Sequence, residues 1–132
     1  GAVYYQAPGQ KNEDLEKEDI VFKQMTEKDM LINFWKIVNQ CDTFVTFNGR
    51  GFDVPFLMLR SAVHNVRPSK NLLSNRYLKN QKYGSVHIDL QDQLSFYGLA
   101  WRQGSRSLHM YCRAFGIGSP KAGGVAGDDV AQ

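Results

Sequence analysis

The chain has 132 residues, enough for one domain, since a chain of this size buries roughly two-thirds of the surface its unfolded form exposes. Hydrophobic residues make up 42% and aromatics 12%, which excludes wholesale disorder, and no apolar run approaches the ~20 residues of a membrane-spanning helix. No basic-then-apolar leader is visible, and Cys41 and Cys112 have no CxxC spacing, so a reducing, cytoplasmic setting is expected, with no disulfide framework or zinc site.

In chain order, Ala2-Val3-Tyr4-Tyr5 is β-prone and Ile20-Val21-Phe22 is a second short strand. The two are expected to pair as a hairpin across an exposed charged loop, residues 7–19. Thr26 before Glu27 and Asp29 is a helix start, with an N-cap hydroxyl and acids in the first turn. Met30, Phe34, Ile37 and Cys41 then repeat at helical spacing, with Leu31, Trp35 and Val38 beside them, which marks a core helix. Thr43 to Phe47 reads as a buried strand, and residues 54–66 as a helix that stops before Pro68. Residues 67–84 form a loop with one helical turn around Leu72 to Leu78. Val86 to Leu90 is a strand, Gln91 to Leu99 a helix, Arg102 to Gly104 a turn, and Ser107 to Phe115 a helix closed by Gly116. Residues 119–132 form a glycine-rich, flexible tail. This order predicts an α/β domain with a mixed sheet flanked by helices, its later strands parallel because helices join them.

The net charge of +3 is unevenly spread. Residues 1–53 carry 9 acids against 6 Lys and Arg, whereas residues 54–132 carry 4 against 10. No acid lies between Asp53 and Asp89, yet Arg60, Arg67, Lys70, Arg76, Lys79 and Lys82 do, with Tyr77 and Tyr83 among them. Such a stretch is either a solvated surface or one that follows a phosphate backbone.

The segment with most chemistry is Asn48-Gly49-Arg50-Gly51-Phe52-Asp53-Val54-Pro55-Phe56-Leu57. A strand runs into a turn with two glycines and then presents a carboxylate at a helix start, which is where α/β domains place functional groups. Asp53 is either an active-site carboxylate or simply the N-cap of the following helix. Asp89 is likewise either a second acid or the cap of the helix after it. His64, His87 and His109 share no ligand spacing, and Cys112 has no assignable base.

That ten-residue block resembles the second motif of the DEDD, or DnaQ-like, 3′–5′ exonucleases, in the branch related to the proofreading domain of family B DNA polymerases. His87-Ile88-Asp89-Leu90, the Ser107 to Ile117 helix, and Lys121 with Gly127-Asp128-Asp129-Val130 resemble later segments of that family, in the same order. The resemblance implies a ribonuclease H-like fold and a two-metal phosphodiesterase using Mg²⁺ or Mn²⁺, acting on single-stranded DNA or RNA ends and not at a membrane. It makes Asp53 a catalytic metal ligand and Asn48 its catalytic orienting partner. Phe52 and Leu57 would pack under the motif beside the substrate, Arg50 would meet a phosphate, and Arg60, Arg76, Lys79 and Lys82 would line the substrate surface. The family's first motif, Asp-x-Glu on an apolar central strand, is not found: the one Asp-x-Glu of the sequence, Asp14-Leu15-Glu16, falls in the charged segment 7–19, and the third motif would lie beyond Gln132. The chain is therefore expected to be a single but partial domain, incomplete at both ends and inactive or nearly so alone. The alternative is a catalytically incomplete ribonuclease H-like module that binds nucleic acid.

Overall fold

The computed structural model describes residues 2–5, 14–17, 20–99 and 107–123. Its order is β1 (Ala2–Tyr5), β2 (Asp14–Lys17), β3 (Ile20–Gln24), α1 (Glu27–Asn39), β4 (Thr43–Thr46), α2 (Asp53–Val63), β5 (Val86–Asp89), α3 (Leu90–Leu94) and α4 (Leu108–Ala114). Two 3₁₀ turns, Leu78–Asn80 and Pro120–Gly123, complete it. The Arg102 to Gly104 turn and most of the 119–132 tail lie outside the described residues.

The strands form two sheets among the described residues, not one: a three-stranded sheet in the order β1-β3-β2 and a parallel pair, β4-β5. The charged segment 7–19 is not all loop, because β2 lies within it and pairs antiparallel with β3. Its alternation of Asp, Leu, Glu and Lys is edge-strand chemistry, and Asp14 sits opposite Lys23 in register. β2 takes the hairpin position against β3, so β1 occupies the other edge and runs parallel, with Ala2 opposite Val21. The expected β1–β3 hairpin is thereby corrected. The β4–β5 pair is parallel, as a helical connection requires.

Thr26 caps α1, accepting a hydrogen bond from the Asp29 backbone N–H. The buried face of α1 is Leu31, Trp35 and Val38, while Ile37 of the neighbouring row points outward at 45% exposure. With Val54, Val66 and Leu72 these three residues form the core, and Ile32, Phe34, Phe44, Leu57 and Met58 pack around it. The indole N–H of Trp35 donates to Ser61 Oγ at 2.8 Å, so the one polar atom of the core's largest side chain is satisfied. β4 is only half-buried, with Val45 60% exposed, because one face of its two-stranded sheet is left uncovered by the described elements. α2 starts at Asp53 and stops at Val63, before the expected 66, because Asn65 turns left-handed at φ 53°. α3 ends at Leu94 rather than 99, because Phe96 and Tyr97 adopt φ of 52° and 55°. Gly116, at φ 67°, closes α4. Cys41 and Cys112 are free thiols, both half-buried. No helix among the described residues is long and apolar enough to cross a membrane.

Glu27 ties α1 to α2, accepting from Arg60 Nη2 at 2.6 Å and lying 3.0 Å from His64 Nε2. The Arg60 guanidinium, with His64 second, holds the Glu27 carboxyl at about 2, down from an ordinary 4.5. A carboxylate whose pKa falls on folding stabilises above its unfolded value and loses that contribution as pH drops through the folded one. Glu27→Gln is therefore expected to be less stable than the wild type at neutral pH, with the difference shrinking below about pH 4.5 and vanishing near pH 2. Urea unfolding of both proteins across that range checks it, and a pH-independent difference would contradict it.

Candidate functional site

Asn48 leaves β4 in the left-handed region, at φ 60°, a conformation asparagine tolerates. Its carbonyl accepts from the N–H groups of Gly51 (3.1 Å) and Phe52 (3.0 Å), folding the chain back on itself. The Gly49 carbonyl accepts from Val54 N–H at 2.8 Å, so the turn feeds directly into the first turn of α2. Gly49 is buried, and a Cβ there would overlap the Thr46 side chain.

A carboxylate from the neighbouring strand holds this turn. Register places Asp89 opposite Thr46, beside the end of β4. Asp89 Oδ1 accepts from Asn48 N–H (2.8 Å) and Gln91 N–H (3.0 Å), and Oδ2 accepts from Arg50 N–H (3.0 Å). Asp89 is only 4% exposed. It is the N-cap of α3, one of the two roles open to it in the sequence, and also clamps the glycine turn, a role the sequence did not reveal. Behind it, His87 is buried between Thr46 Oγ1, 2.8 Å from Nε2, and the Leu72 carbonyl, 2.9 Å from Nδ1. A carbonyl only accepts, so Nδ1 carries a proton. The Gln81 side chain brackets the His87 backbone, accepting from its N–H (2.7 Å) and donating to its carbonyl (3.1 Å). Arg50 Nη1 donates to the same Leu72 carbonyl at 3.1 Å.

Asp53 is the first residue of α2, with Phe52 at the N-cap position. Its side chain is exposed and makes no hydrogen bond or ion pair with the described residues. Phe52 does not pack beneath the motif: it is 64% exposed and stacks on Phe56, ring centroids 6.2 Å apart and 8° from parallel. Leu57 does pack against the core. Arg60 is engaged by Glu27, and Arg76 grips Asp92 with contacts of 2.6 and 3.1 Å. Asp92 holds the Arg76 guanidinium pKa above its ordinary value, and the cation lies 5.8 Å from the centre of the Tyr97 ring. The acid-free stretch of sequence is thus not an acid-free surface. Lys79 and Lys82 are exposed and make no ion pair with the described residues.

A cleft of about 370 Å³ lies between the glycine turn and α3 and gathers Asn48, Arg50, Arg76, Asp89 and Asp92. Asp53, Phe52, Leu57, Arg60, Lys79 and Lys82 do not line it. His64 belongs to the Glu27 cluster and His109 Nδ1 lies 2.8 Å from Ser119 Oγ. Among the described residues no three His, Cys, Asp or Glu side chains come together to hold a metal ion. Asp89 spends both oxygens on backbone N–H groups, which leaves Asp53 as the one open carboxylate of the turn. A pair of divalent ions needs several oxygen ligands, so these residues do not by themselves fit it. Asp128 and Asp129 lie outside the described residues.

Residues 6–132 match the predicted 3′–5′ exonucleases related to the exonuclease domain of PolB. The chain belongs to this family. DNA polymerase 1 of Sulfolobus acidocaldarius is 30% identical to this exonuclease-family chain over 81 residues, covering 60% of the chain and 9% of the polymerase. An uncharacterised protein of Methanocaldococcus jannaschii is 30% identical over 105 residues, covering 78% of the chain and 53% of that protein. The chain thus spans about a tenth of one curated relative and about half of the other. No solved structure matches it.

Proposed function

We propose that this chain is part of a ribonuclease H-like 3′–5′ exonuclease that removes terminal nucleotides from single-stranded DNA or RNA. The observation that supports this most is the clamped turn: Asn48 to Phe52 is fixed from below by Asp89, and the turn delivers Asp53 to solvent at the head of α2. A reacting carboxylate needs a rigid support and open access, and Asp53 has both. Hydrolysis adds water across the terminal phosphodiester, with the attacking oxygen bonding to phosphorus and the 3′ oxygen of the penultimate nucleotide leaving. In this proposal Asp53 contributes one carboxylate toward Mg²⁺ or Mn²⁺, the Asn48 amide orients the strand end, and Arg50, Lys79 and Lys82 meet phosphates. A metal bound there would supply charge neutralisation at phosphorus. The described residues do not complete its cage.

That incomplete cage favours a second reading, a module that holds nucleic acid without cutting it. One experiment separates the two. The protein and its Asp53→Asn variant are incubated with a 5′-labelled single-stranded oligonucleotide and Mn²⁺. A ladder of 3′-shortened products lost in the variant supports the exonuclease. Retention of an intact oligonucleotide that weakens with salt supports the binding module, and neither shortening nor retention sinks both.

A further inference from the structure

On the face of α1 that carries Lys28, Ile32, Lys36 and Asn39, the turn Asn65–Ser69 stands against the helix and encloses a groove of about 680 Å³. Three cations line it, Lys28, Lys36 and Arg67, and no Asp or Glu does. All three are exposed, and none makes an ion pair or hydrogen bond with the described residues. Four other cations are engaged by the fold, Arg60 on Glu27, Arg76 on Asp92, and Arg50 and Lys70 on backbone carbonyls, while Lys79 and Lys82 are exposed without an ion pair but do not line this groove. The groove therefore concentrates positive charge that the fold does not consume, above a floor of half-buried Ile32 and Pro68. It shares no lining residue with the cleft at the glycine turn.

We infer that this groove is a second nucleic-acid contact, holding the phosphodiester backbone of a single strand at a site separate from the Asn48–Asp53 turn. The inference rests on the exonuclease reading for the class of polyanion. The shape supports an extended ligand over a compact anion. Lys28 and Lys36 stand eight residues apart on one helix, about 12 Å along its axis, wider than one phosphate group. Cations over an apolar floor suit a strand whose phosphates alternate with sugars and bases. A cation that meets a phosphate releases a condensed counterion, so each contact carries its own share of salt dependence.

The test measures anisotropy of a labelled oligodeoxythymidylate in EDTA, which prevents cleavage, over a salt series. The wild type is compared with a variant carrying Lys28→Ala, Lys36→Ala and Arg67→Ala. All three positions are exposed, and thermal unfolding of the variant confirms that it folds. The variant is expected to bind about tenfold more weakly at low salt, with the slope of log affinity against log salt shallower by about 2, near 0.7 for each lost contact. An unchanged affinity and slope overturns the inference. So does equal competition by polyglutamate, which would assign the groove to an acidic polypeptide. The two readings fail separately. Binding that is lost in the triple variant while the wild type never shortens its substrate favours the binding module over the exonuclease and leaves the groove. Shortening by a wild type whose affinity matches that of the triple variant sinks the groove alone.

Discussion

Asp89→Ala is expected to lower the unfolding free energy by about 2–4 kcal/mol, through loss of a helix cap and the orphaning of two further backbone N–H groups. The three bonds do different things. The one from Gln91 starts α3, while those from Asn48 and Arg50 tie the turn to the end of β5. Asp89→Asn separates them. Its single amide oxygen can keep the place of Oδ1, serving Asn48 and Gln91, but its NH₂ then faces the Arg50 N–H, donor against donor. Amide hydrogen exchange should therefore speed up at Arg50 alone in Asp89→Asn, and at Asn48, Arg50 and Gln91 in Asp89→Ala. Amides in the β4–β5 ladder should remain slow in both. Urea unfolding supplies the stability difference. Unchanged exchange at Asn48 and Arg50 in the alanine variant would show that the turn holds its shape without the carboxylate. Since the turn ends at Asp53, its loosening is also expected to blur the position of the one open carboxylate there.

What the sequence shows and what it hides divide along physical lines. The Thr26 cap, the parallel β4–β5 pair and the run from β4 through two glycines to Asp53 are local patterns, and each appears where its residues predict it. The buried row of α1 is harder to read. Met30–Phe34–Ile37 and Leu31–Trp35–Val38 are both apolar, and only packing against α2 selects the second. β2 hides because an edge strand of Asp, Leu, Glu and Lys has loop composition. The clamp hides for another reason. Asp89 acts on backbone N–H groups 39 and 41 residues away, and a backbone donor leaves no trace in side-chain identity. The basic stretch misleads in the opposite sense, because Glu27 reaches Arg60 across 33 residues and Asp92 reaches Arg76 across 16. Charge read along the chain is not charge read over the surface.

The two glycines of the turn look equivalent in sequence and are expected to respond differently to alanine. At Gly49 the new Cβ would lie 2.5 Å from Thr46 Cβ and 2.7 Å from its Cγ2. Thr46 is β-branched, its Cβ is fixed by the strand, and its hydroxyl is bonded to buried His87, so it has nowhere to move. Either the end of β4 or the turn must shift, which costs about 1–3 kcal/mol. The stiffer unfolded chain offsets only about 0.4–1 kcal/mol of that. Gly49→Ala is therefore destabilising, and the strain also falls on the carbonyl that begins α2. At Gly51 the new Cβ would meet the Asn48 side chain, principally its Oδ1. That side chain is exposed and can rotate away, so stability should stay within about 0.5 kcal/mol. The rotation nevertheless displaces the amide proposed to orient the strand end. Gly51→Ala should thus fold like the wild type while weakening shortening or retention of the labelled oligonucleotide, whereas Gly49→Ala should lose stability as well. Urea midpoints and the oligonucleotide assay on both variants decide it. Equal midpoints would mean that β4 yields at Thr46, and an unaltered Gly51→Ala assay would remove Asn48 from the substrate's path.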